Sequence, residues 1–143
     1  MVKTLAKINV SAKWVENVQS IAECARGHKV ILDLGTASGG DNQGPSALEL
    51  AIMSLADCAV TIFADVCKKS NVEIGNMEVT AEAEKPEGSP IISGVNMKVK
   101  IAAKARKQKI DAMWRRTEAN CPVVYIFKEN IPINIEVETT EEE

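Results

Sequence analysis

What most limits how this chain can fold is one unbroken apolar segment. It opens Gly44-Pro45-Ser46-Ala47-Leu48-Glu49-Leu50-Ala51-Ile52-Met53-Ser54-Leu55-Ala56-Asp57-Cys58 and runs on to Lys69, with no Pro or Gly after Pro45. From Pro45 to Lys69 is about 25 residues, roughly 37 Å of α-helix at 1.5 Å per residue. Apolar residues cover most of its circumference, which predicts burial on more than one side. Ser46 followed by Glu49 is a capping box, with Pro45 at the helix start. At about 100° per residue, Ser54, Thr61 and Asp65 fall within about 60° of Cys58, while Cys67 points the opposite way. The helix therefore offers Cys58 beside a narrow polar stripe and Cys67 toward the core. A helix apolar nearly all round is hard to cover within 143 residues. A second copy of the chain is expected to cover part of it, in a symmetric dimer.

That helix is also long enough to suggest a membrane span. Glu49, Asp57 and Asp65 within it argue against one, because carboxylates in lipid are costly. Residues 1–7 show no apolar core or cleavage pattern of a secretory signal, so a cytoplasmic location is expected. Net charge is −3, and the aromatics number two Trp, one Tyr and two Phe. Neither an electrostatic nor a stacking basis for nucleic-acid binding is present. Cys24, Cys58, Cys67 and Cys121 lie far apart with no C-x-x-C pair. That spacing excludes the usual zinc pattern and the thioredoxin motif.

Along the chain, Val2, Thr4, Ala6, Ile8 and Val10 alternate with polar residues and predict a first strand over residues 2–10. A second is expected from Trp14 to Ile21 and a third from His28 to Leu34, with Arg26-Gly27-His28 as the turn between them. The Gly-rich stretch from Gly35 to Gly44 lacks the G-x-x-x-x-G-K-[ST] pattern of a phosphate loop and reads as a mobile connector. After the helix, Met77, Val79, Ala81 and Ala83 alternate with Glu78, Thr80, Glu82 and Glu84. Val95, Met97, Val99 and Ile101 then alternate with Asn96, Lys98 and Lys100. Acids on one strand and lysines on the next predict an antiparallel hairpin, its turn at Pro86–Pro90.

Lys104 to Asn120 is an amphipathic helix. Its apolar stripe carries Ile110, Met113, Trp114, Thr117 and Cys121, and Arg106, Lys107, Lys109, Arg115 and Arg116 form a solvated basic face. Asn120-Cys121-Pro122 marks a fresh helix start. Ile131, Ile133, Ile135 and Val137 predict a last strand, and residues 139–143 an acidic, disordered tail. The element order is β-β-β-α-β-β-α-β, an α+β domain over residues 1–138 with antiparallel sheet wrapped around the long central helix. His28, the sole histidine, falls in a turn, where a solvated role is simpler than catalysis or metal binding.

Two thiols have distinctive settings. Cys58 is mid-helix at the edge of the polar stripe, and Cys121 lies at a helix boundary, where backbone N–H groups favour thiolate. From spacing alone the simpler reading of each is a small buried hydrophobe.

The pattern GPSALELAIMSLADC followed by a long helix, with ANCPVVYIFKENIPINIEVE near the end, resembles the OsmC/Ohr superfamily. Gly44-Pro45-Ser46, Glu49-Leu50 and Cys58 look most like its OsmC-like branch, and Asn120-Cys121-Pro122-Val123 is similar to its second cysteine motif. The resemblance implies an OsmC-like fold in an intertwined homodimer. It also implies an organic hydroperoxide reductase that needs no metal, flavin or haem. Cys58 would be the peroxidatic thiolate and Cys121 the resolving thiol, with a dithiol such as a lipoyl group restoring both.

Family enzymes set a Glu–Arg pair beside the reactive sulfur. Here the candidates are Glu49 and Arg26. In the Ohr branch that Glu lies ten residues before the cysteine, where this chain has Leu48. Glu49 lies nine before it, on the opposite side of an ideal helix and roughly 13 Å away along the axis, so capping is its simpler role. Two further readings stand beside the enzyme. One is a non-catalytic protein holding a small hydrophobic or thiol ligand. The other is a redox sensor built on the same two cysteines.

Overall fold

Residues 5–142 are described by the structure, a computed structural model. The chain forms two compact units, with the boundary between Ser54 and Leu55 inside the long helix.

In the first unit, β1 (Val10–Glu16), β2 (Gln19–Cys24) and β3 (Lys29–Leu32) form an antiparallel meander in the order β1-β2-β3. The meander follows the expected topology, but its strands are displaced along the chain. Val2, Lys3 and Thr4 of the predicted first strand lie outside the described residues, and residues 5–9 carry no strand. The predicted Trp14–Ile21 strand is broken by a tight turn. Asn17 sits at φ 48°, and Glu16 pairs with Gln19 across it. Asn tolerates this left-handed conformation far better than its branched neighbours Val15 and Val18, so the hairpin folds there. Trp14 Nε1 donates to the Asn17 carbonyl at 2.8 Å and fixes the turn. Gly27, at φ 88°, makes the second turn.

The Gly-rich stretch is a built loop rather than a loose connector. Asp33, 2% exposed, accepts hydrogen bonds from the amides of Leu34 (2.8 Å), Asp41 (3.2 Å) and Gln43 (3.1 Å). Gly40 packs so closely on Leu34 and Asp33 that a Cβ would collide with both.

The long helix, α1, spans Ala47–Lys69. Its capping box is formed as expected. Glu49 N donates to Ser46 Oγ at 3.1 Å, and Ser46 N donates to Glu49 Oε1 at 3.0 Å. Within this chain the buried positions are Leu55, Cys58, Ala59, Phe63, Val66 and Cys67, which span about half the circumference from Cys58 round to Cys67. Leu48 and Met53 stay exposed. By length and composition α1 could cross a membrane.

The second unit holds the hairpin of β4 (Ile74–Glu84) and β5 (Gly94–Ala103). Its register sets Glu78 opposite Lys100 and Val79 opposite Val99, the acid–lysine pairing read from the alternation. The apolar face, with Met77 and Ile101, packs with Phe63, Val66, Cys67, Val72 and Met113 in the unit's core. The second helix, α2, spans Lys107–Ala119, and a short α3 spans Pro122–Lys128. Met113, Thr117 and Cys121 of the predicted stripe are buried, while the basic residues opposite are exposed.

The predicted last strand is not formed. Residues 130–142 carry neither helix nor strand. Alternation alone does not make a strand, because the ladder needs a neighbour. Pro132 has no N–H to give one, which restricts such a segment to a sheet edge. Glu143, at the end of the expected tail, lies outside the described residues.

Candidate functional site

The second unit brings Cys58 and Cys121 into contact. The buried face of α1 carries Cys58 inward, 9% exposed, and the break between α2 and α3 holds Cys121, 1% exposed. Asn120 closes α2 through its N–H to the Thr117 carbonyl, and Pro122 opens α3, so Cys121 is the hinge residue with an extended backbone.

Burial pushes the Cys121 thiol up to about 11, and its hydrogen bond to Cys58 acts in the same direction. The amides of Val124 and Val123 donate to the Cys121 sulfur and oppose the rise without cancelling it.

A groove of about 670 Å³ lies beside this pair. Leu55 and Ala59 of α1, Val95, Met97 and Val99 of β5, Trp114 of α2 and Phe127 of α3 give it mostly apolar walls. Cys121 is one of its lining residues, with Glu118 and Lys128 among the few charged groups. Thr117 also faces it, but its hydroxyl donates to the Met113 carbonyl at 2.9 Å. Such a site can hold an apolar chain against a sulfur.

The other two candidates belong to the first unit. Glu49 is exposed and engaged with Ser46 at the start of α1, and these hydrogen bonds hold its carboxyl below the usual range. Arg26 is exposed in the β2–β3 turn. That turn acts on Cys24. Backbone N–H groups of His28 and Arg26 donate to its sulfur, and with the Arg26 charge they lower its pKa. Sequence reasoning passed over Cys24; the signal was a cysteine two residues before a basic glycine turn. It also did not say which residues would wall the groove, because Val95 and Trp114 read only as the apolar sides of their own elements. The fourth thiol, Cys67, is core, and burial raises its pKa.

A family model described as OsmC-like protein matches residues 40–136, a span containing both Cys58 and Cys121. Protein YhfA from Escherichia coli strain K12 is 26% identical over 129 residues, covering 85% of this chain and 90% of its own length. An OsmC-like protein from Mycoplasma pneumoniae has the same fold, with a TM-score of 0.70 at 14% identity over 86% of this chain and 88% of that one. An organic hydroperoxide resistance protein, OsmC, from Legionella pneumophila superposes with a TM-score of 0.63 at 19% identity, covering 90% of this chain and 93% of that one. With the fold and the family model in agreement, this chain belongs to the OsmC-like protein family.

Proposed function

We propose that the protein is a thiol peroxidase that reduces organic hydroperoxides. Cys58 attacks the distal peroxide oxygen as thiolate, the O–O bond breaks, and an alcohol leaves with Cys58 oxidised to sulfenic acid. Cys121 then attacks the sulfenic sulfur, water leaves, and a Cys58–Cys121 disulfide forms. A dithiol restores both thiols and is itself oxidised to a disulfide.

The observation that carries this reading is the contact of Cys121 with Cys58 beside an apolar groove. It keeps the resolving thiol within reach of the peroxidatic one. The name of the Legionella relative points to the same chemistry. All four cysteines are free thiols, a state that suits a reducing, cytoplasmic setting. Arg26 is proposed as supporting charge. Glu49 is better read as a helix cap than as its partner.

The test is turnover of cumene hydroperoxide with dihydrolipoamide. Cys58→Ser is expected to lose at least about 100-fold in rate, and Cys121→Ser to stop after one equivalent with a dimedone-reactive Cys58. Full turnover by Cys58→Ser removes the catalytic reading. What would then remain is a ligand-binding protein, for which the size and apolar walls of the groove are the supporting feature.

A further inference from the structure

We propose that the groove is the entrance for the reducing thiol, and that this thiol attacks Cys121 rather than Cys58 in the Cys58–Cys121 disulfide. The inference rests on the two-thiol reading above and fixes which sulfur its second half-reaction uses.

Three observations lead to it. Cys121 lines the groove and Cys58 does not. Thiol–disulfide exchange runs in line, with the attacking sulfur opposite the leaving one, so a thiol entering from the groove meets Cys121 with Cys58 behind it. The walls are apolar at Val95, Met97, Val99 and Trp114, which suits a thiol carried on an aliphatic or aromatic arm. Cys121 keeps only 1% of its surface exposed, so bulk water and unseated thiols are excluded until such an arm fills the groove.

The chemistry favours the same sulfur. A thiol leaves a disulfide more readily the more acidic it is. Cys121, pushed up to about 11 by burial and by Cys58, is the poorer leaving group of the two, so the first, intermolecular attack expels Cys58, and expulsion of Cys121 is left to the intramolecular ring closure. In the favoured direction the thiolate of a dithiol bonds to Cys121 Sγ. The Sγ–Sγ bond breaks, and its electron pair leaves on Cys58. The second thiol of the reductant then attacks its own sulfur in the mixed disulfide. The reductant departs as a cyclic disulfide, and Cys121 takes up a proton.

The test starts from wild-type protein oxidised with diamide, which makes the Cys58–Cys121 bond without any peroxide. A brief reaction with benzyl mercaptan is quenched with N-ethylmaleimide and the modified peptides are mapped by tandem mass spectrometry. The expected result is the benzylthio adduct on Cys121 and maleimide on Cys58, in at least about a tenfold excess over the reverse. A predominant adduct on Cys58, or an even split, overturns the proposal. Gly94→Leu supplies a second measurement, because Gly94 lines the groove and an added Cβ there meets nothing within 4 Å. Its disulfide should be reduced at least about tenfold more slowly by benzyl mercaptan and hardly more slowly by 2-mercaptoethanol, which has no arm to seat. Equal slowing with both thiols refutes the groove as the entrance. If a hydroperoxide fails to form the disulfide that diamide forms, the peroxidase reading falls and this one stands. If diamide forms no such bond, both fall.

Discussion

How tightly a thiol holds its proton follows from where the residue sits. Cys121 is buried at a helix break, against Cys58. Its pKa in the folded chain, about 11, lies above the ~8.5 of an unfolded cysteine. A raised thiol pKa means the native state keeps its proton where the unfolded chain has lost it. The stabilising contribution is complete below about pH 8.5 and is lost as the pH climbs through that window toward about 11. Urea unfolding of wild type between pH 8 and 10.5 should therefore show stability falling with pH, and Cys121→Ala should have a visibly shallower slope whatever its absolute stability. Identical slopes would mean that Cys121 titrates as an ordinary thiol. The place of each cysteine on its stripe was legible from helical periodicity. Their meeting was not, because it depends on the path of the chain between Lys69 and Lys107. Cys24 was passed over for a related reason: its sequence signal is only the nearby turn, and the donors to its sulfur are backbone N–H groups, which every sequence has and only a turn of the right shape aims.

Among the elements, legibility tracked how much of the determining interaction is local. The α1 cap joins Ser46 and Glu49, three residues apart, and formed as read. The β4–β5 register follows from two alternating patterns joined by one turn, and Glu78 met Lys100. The boundaries of β1 and β2 were misplaced because Asn17 turns the chain without a following glycine. The loop after β3 was misread more fully. Its glycines drew a comparison with phosphate loops, whereas its organiser is Asp33, an acid just upstream that reaches amides as far as Gln43. Removing that carboxylate leaves three backbone donors to find new partners in a partly buried site. Asp33→Ala is expected to cost about 3 kcal/mol, read from the urea midpoint, and Asp33→Asn less, since one acceptor oxygen survives. A loss under about 0.5 kcal/mol for Asp33→Ala would place it with ordinary surface changes and remove Asp33 as the organiser of the loop.

For the molecule as a whole, the telling feature is how much apolar surface one chain leaves uncovered. Trp14 is 74% exposed and Val10 73% on the meander, Met53 54% on α1, and Ile133 78% and Ile135 81% in the final segment. Isolated exposed hydrophobes are ordinary, but here they come in sets that share the periodicity of an element. The final segment keeps the period of a strand without a neighbour to pair with. A sheet edge on a second copy would satisfy both its backbone and its isoleucines, with Pro132 tolerated on the outer side. The same second copy is expected to cover the sides of α1 that its own chain leaves open. Sedimentation equilibrium at about 10 µM should therefore give twice the chain mass. The double substitution Ile133→Glu with Ile135→Glu should weaken self-association at least about tenfold, roughly 1.4 kcal/mol, while leaving the helical circular dichroism of α1 and α2 in place. A wild-type chain that sediments as a monomer at that concentration would return these surfaces to solvent and leave the alternation of residues 131–137 without a structural reason.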